Sequence, residues 1–198
     1  LPEGSAGRGT LRWFVAGPEL ASWEELAVVE HAVAGAAADL QARSDAFLAA
    51  PEDAVALREF RVSLRRVRSL LQFLSPWQSK KQNRRCEHVI KELQVASARL
   101  RSLDILSETV DGLVESGELG ENCLLPMACA KERALECASL VTLMRKRHSA
   151  KELARVAREL ERLSWKSKVS EGGLTADDFR ARFDAQFNEV DEDLFGLD

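Results

Sequence analysis

Residues 57–74, LREFRVSLRRVRSLLQFL, constrain the fold of this chain more than any other stretch. Leu57, Phe60, Leu64, Val67 and Leu71 recur at intervals of three and four. That spacing lines one face of a helix and does not fit a strand, whose side chains alternate. On a wheel of about 100° per residue, Arg58, Arg61, Arg65 and Arg68 fall within about 80° of each other beside the apolar face. Arg66 lies off that stripe, towards Val62. One face packs, and the adjoining one is a ladder of guanidinium groups over about three turns.

Helical periodicity continues elsewhere. A first helix is expected from a cap at Ser22 to about Ala50, with Glu24 and Glu25 near the positive end of its dipole and Pro51 stopping it. Pro51 is then expected to open the second helix, with Glu52 and Asp53 in its first turn and an end near Leu74. A third begins near Ser79 and carries Cys86, Val89, Ile90, Leu93 and Leu100 at helical spacing. A break is expected near Arg101–Ser102, Ser102 capping a further helix through Leu113. Gly117 and Gly120 mark a turn, and residues 122–147 and 149–165 read as two more helices. The sequence TADD, residues 175–178, is a helix-start signature. Behind it Phe179, Phe183, Phe187, Val190 and Leu194 form one stripe on an acidic helix, read either as core or as a docking face.

No segment alternates as a strand would. The expected class is all-α, an antiparallel helical bundle resembling a four-helix bundle with additional helices. Its expected divisions are 1–22 as a flexible lead or linker, 23–166 as the bundle, and 167–198 as an acidic linker plus an amphipathic helix.

The 198 residues suffice for one domain with a real core. No run of 18 apolar residues is present, so no transmembrane helix is expected. The opening LPEGSAGRGT lacks the apolar centre of a signal peptide. Starting on Leu rather than Met, the chain reads as a processed or cut product. Cys86, Cys123, Cys129 and Cys137 form no CxxC pair and read as structural thiols in a reducing, cytoplasmic compartment. His31, His88 and His148 lack zinc spacing relative to them, so no metal is expected.

The net charge of −4 argues against a polyanion partner. Its distribution argues the other way. Residues 58–101 hold twelve Lys/Arg against three Glu, and residues 131–168 hold eleven against five. Local fields, not totals, attract a ligand. Like charges along one helix repel by roughly a few tenths of a kcal/mol per pair, and in this helix only Glu59 offers relief. Either acidic residues of another helix meet the ladder, or a bound polyanion does. The plainer account is a solvated arginine-rich face. Guanidinium nonetheless suits phosphate, being always charged and able to donate two parallel hydrogen bonds.

The same stretch resembles a signature of CHAD domains (conserved histidine α-helical domains), an H-x-x-R-V-x-x-R-R-x-R helix. Arg61, Val62, Arg65, Arg66 and Arg68 match it. A second signature is similar to IKELQVASARLRSLDIL, where Lys91, Leu93, Arg101, Asp104 and Leu106 match. The resemblance is strongest over 52–110, weaker over 122–165, and slight over 1–22 and 168–198. Arg58 stands at the histidine position, and Ser102 stands where the family has Asp. Both departures make the region more positive.

The resemblance implies a non-catalytic bundle that binds inorganic polyphosphate in a basic trough. It also implies company with a triphosphate-processing domain, or residence at polyphosphate granules. Arg61, Arg65 and Arg68 would form the central ladder and Arg58 would extend it. Arg66 would reach another side of the groove, and Lys91, Arg101 and Arg133 would line the facing wall. Lys80, Lys81, Arg84 and Arg85 would supply a basic rim or direct contacts, while Asp104 would orient an arginine or cap a helix. The family usually carries two such halves. The single one here suggests either that a second was removed or that self-association completes the trough.

Two other classes stand beside this reading. A nucleic-acid binder would want exposed aromatic side chains among the basic ones, and 58–101 offers only Phe60, Phe73 and Trp77. A partner-docking module would use the phenylalanine stripe. Neither a catalytic constellation nor a phosphate-cradling glycine loop is present, so no enzyme activity and no cofactor are expected.

Overall fold

The computed structural model describes residues 23–120, 123–146, 150–163, 165–166, 169 and 174–195. It contains α1 (Trp23–Ala49), α2 (Ala54–Leu74), α3 (Lys80–Glu115), α4 (Leu125–Lys146), α5 (Ala150–Glu161) and α6 (Ala176–Phe195). Among the described residues there is no strand, and an isolated antiparallel bridge joins Gln78 to Trp165. Residues Ala27–Lys166 form one compact unit, and α6 belongs to a second. No described helix is long and apolar enough to cross a membrane.

Within the larger unit the helices run antiparallel, as their side-chain pairs show. Arg43 and Asp39 of α1 meet Glu59 and Arg66 of α2. Arg61 and Arg68 of α2 meet Ser97 and Gln94 of α3. Arg99 and Asp104 of α3 meet Glu136 and Arg133 of α4. In each set, partners later on one helix lie earlier on the other. At 36 residues, α3 is about 54 Å long and packs along both α2 and α4.

The buried residues follow the expected periodicity. Leu57, Phe60, Leu64, Val67 and Leu71 of α2 are all buried, as are Cys86, Val89, Ile90, Leu93 and Leu100 of α3. Phe60 stacks on Phe47 of α1, ring centroids 5.7 Å apart. Burying side chains of this kind contributes roughly 1.5–3 kcal/mol each.

Two boundaries differ from expectation. Pro51 does not open α2. It lies in a turn with Glu52, and Asp53 is the cap, its Oδ1 accepting from the Val55 amide at 2.8 Å. A carboxylate at that position satisfies a helix-end donor that Pro leaves unpaired. The second difference is at Ser102, where α3 continues without a break to Glu115. Ser102 Oγ donates to Ala98 O at 3.1 Å, satisfying itself inside the helix. The buried series carries on past it through Leu100, Asp104 and Val110, so packing keeps the helix intact. Gly117, at φ 77°, ends α3 in the left-handed conformation open to glycine. The expected Ser22 cap lies outside the described residues.

The helix start at 175–178 forms as read. Asp178 N donates to Thr175 Oγ1 at 3.1 Å, and Thr175 N donates to Asp178 Oδ2 at 2.9 Å. On α6, Phe179 is half-buried and Phe183 is exposed, a departure from the core reading of the stripe. The side chains of Phe187, Val190 and Leu194 lie outside the described ones.

Candidate functional site

The site is the face where α2 and α3 run side by side. Arg61, Arg65 and Arg68 follow the buried row of α2, so the packing that orients Leu64 and Val67 also fixes the ladder's direction. Arg61 Nη1 donates to Ser97 Oγ at 3.1 Å, and Arg68 Nη1 donates to Gln94 Oε1 at 2.8 Å. Ser97 Oγ in turn donates to Gln94 O at 3.2 Å. The acceptors on α3 are therefore neutral. They orient the guanidinium groups without cancelling their charge.

Among the described residues, no carboxylate forms an ion pair with Arg58, Arg61, Arg65, Arg68 or Lys91. Burial lowers the pKa of Arg61 from its ordinary value, and the positive charges of Arg65 and Arg101 lower it further. Guanidinium remains charged at neutral pH, so the effect marks a concentration of unrelieved positive charge.

Towards the α2–α3 turn the face deepens into a cleft of about 360 Å³, lined by Arg68, Gln72, Arg84, Glu87, His88 and Lys91. At the other end Arg101, half-buried, sits near Arg61. It is held by Asp104 Oδ2 at 3.8 Å and Glu108 Oε1 at 3.4 Å, which offset part of its charge.

Two residues expected at the trough are not brought to this face. Arg66 turns to the α1 side and pairs with Asp39 at 3.5 Å, next to the Arg43–Glu59 pair. It is a link between α1 and α2. Arg133 is only 14% exposed and donates to Asp104 Oδ1 at 2.7 Å, Glu52 Oε2 at 2.8 Å and Glu52 O at 3.1 Å. Each of its three guanidinium nitrogens donates within the protein, tying the α1–α2 turn to α3 and α4. Asp104 orients it. Among the basic rim, Arg84 lines the cleft, whereas Arg85 pairs with Glu159 of α5 at 2.7 Å.

The sequence reading missed Gln94, Ser97 and His88. Their signal was positional, since Arg84, His88, Lys91 and Gln94 recur at helical spacing on one face of α3.

Fold and site together define a class: an all-α bundle that presents a row of cations which no carboxylate among the described residues pairs. A family model for the CHAD domain matches residues 31–194, most of the chain. The chain belongs to the CHAD-domain family, which is associated with polyphosphate binding. The match begins within α1 and extends into α6, beyond the stretch where the sequence resemblance was strongest. No curated protein and no solved structure matches the chain significantly.

Proposed function

We propose that the α2/α3 face binds inorganic polyphosphate without transforming it. The observation that carries this reading is the arginine ladder itself. Arg61 and Arg68 are oriented by neutral acceptors, Arg65 lies between them, and none of the three has a carboxylate ion-pair partner among the described residues. Lys91 adds a cation from α3. Phosphate contacts of this kind position a backbone and read no bases, which suits a polymer that has none. Phe60, one of the three aromatic side chains of the basic stretch, is buried in the core and unavailable for base stacking.

The test is a titration with long-chain polyphosphate at two salt concentrations, with RNA of matched charge as competitor. Four neutralised cations give a slope near −0.7 per cation, so affinity should fall roughly fifty-fold between about 50 and 200 mM salt. Arg61→Glu/Arg65→Glu should abolish binding while leaving the helical circular dichroism intact. Binding that is weak, flat in salt, or unchanged in the double variant would assign the ladder to solvent. Displacement by RNA at equal charge would favour a nucleic-acid ligand.

A further inference from the structure

At one end of the groove between α2 and α3 lies the turn that joins the two helices. There the helices join through residues 75–79, and the turn is held by backbone bonds. Trp77 N donates to Leu74 O at 3.0 Å, and Lys166 N donates to Trp77 O at 2.8 Å. Trp165 bridges to Gln78 beside it. Followed from Arg61 to Arg68, the ladder runs towards that end, and the 360 Å³ cleft lies on the same side, beginning at Arg68. Gln72 is within a turn of the end of α2, and Arg84 is little more than a turn from the start of α3.

The cleft differs from the ladder in how it presents charge. The ladder offers guanidinium groups along one line. The cleft brings Arg68 from α2 and Arg84 and Lys91 from α3 around one space, with His88 beside them. Glu87 is its acidic lining residue, and His88 Nε2 lies 3.7 Å from Glu92 Oε2. Among the described residues neither Arg84 nor Lys91 is ion-paired.

The two kinds of phosphate in a linear polyphosphate also differ. An internal unit carries one charge. A terminal unit has three non-bridging oxygens and a second ionisation, giving it about −1.5 to −2, as for a phosphate monoester near neutral pH. Cations converging on one space from two helices match the higher charge of the terminal unit better than that of an internal one. We infer that the cleft is a chain-end subsite, holding the terminal phosphate of a linear polyphosphate while the chain runs back along Arg68, Arg65 and Arg61. This rests on the polyphosphate reading and adds recognition of the end.

The experiment uses the full chain and polyphosphate of one defined length, either with free ends or with both ends blocked as phosphoramidates. Wild-type protein should bind the free-ended form several-fold more tightly. Arg84→Gln should erase that difference by weakening the free-ended form alone, and Lys91→Gln should weaken both forms while narrowing the gap. Arg61→Glu/Arg65→Glu should abolish binding of both forms. Melting curves should show Arg84→Gln as stable as wild type, since Arg84 is exposed. Equal wild-type affinity for the two forms, or an Arg84→Gln effect that is equal on both, overturns the inference alone. Binding of neither form overturns the polyphosphate reading and the inference with it.

Discussion

Gln94 does for Arg68 what a glutamate would do more strongly, except that it leaves the charge available. The hydrogen bond at 2.8 Å fixes the guanidinium, and its neutral acceptor keeps the cation for a ligand. Gln94→Glu should therefore keep the fold and weaken polyphosphate binding. Its salt slope should shrink by about 0.7, the contribution of one lost phosphate contact. Titration at several salt concentrations reads both effects, and an unchanged slope would count against Arg68 as a contact. Arg133 is the opposite case. Asp104 is 2% exposed, and its Oδ2 has no hydrogen-bond donor among the described residues, so Arg133 supplies the main compensation for a buried carboxylate. Arg133→Ala should cost about 3–5 kcal/mol in urea unfolding, because it strands that charge. This pairing could not be read from sequence. Arg133 and Asp104 are 29 positions apart, and a basic residue in a basic segment looks the same whether it faces a ligand or a buried acid.

At the scale of helices, local periodicity carried most of the information. Leu57, Phe60, Leu64, Val67 and Leu71 could be read as one face because each side chain's direction depends only on its own helix. The continuity of α3 could not. Ser102 is a good cap residue, yet serine inside a helix satisfies itself on the preceding turn, and only packing against α4 decides between the two. The two states predict different outcomes for Ser102→Ala. Loss of a cap would cost about 1 kcal/mol, whereas replacement within a continuous helix should be neutral or slightly stabilising. Denaturant melts should show the second. Asp53→Ala, which removes the observed cap of α2, should show the first.

For the whole molecule, the charge map was legible and its wiring was not. The sequence places twelve cations in 58–101 within a chain of net charge −4. Folding then divides them: Arg66, Arg85 and Arg99 go to ion pairs with neighbouring helices, and Arg61, Arg65, Arg68, Arg84 and Lys91 remain unpaired by carboxylates among the described residues. The thiols are also sorted by the fold. Burial, with Glu159 nearby, pushes the Cys86 thiol up to about 12, while Cys123 is partly exposed. Alkylation near pH 8 followed by mass spectrometry should label Cys123 first and Cys86 only on unfolding. Because the folded state favours the neutral Cys86 thiol, its contribution to stability is complete below about pH 9 and is lost as pH rises towards about 12.

The crowding of Arg65 and Arg101 around half-buried Arg61 also bears on the protein without its ligand. Burial and the positive charges of Arg65 and Arg101 disfavour the charged form of Arg61 in the folded protein. Under the proposed reading, a polyanion seated on the face would offset those charges as part of binding the folded form, and would so raise the melting temperature. Heat resistance would then gauge occupancy. Thermal shift against polyphosphate should rise with its concentration and collapse in Arg61→Glu/Arg65→Glu, and in a crude extract the same shift should disappear once a polyphosphate-degrading enzyme is added.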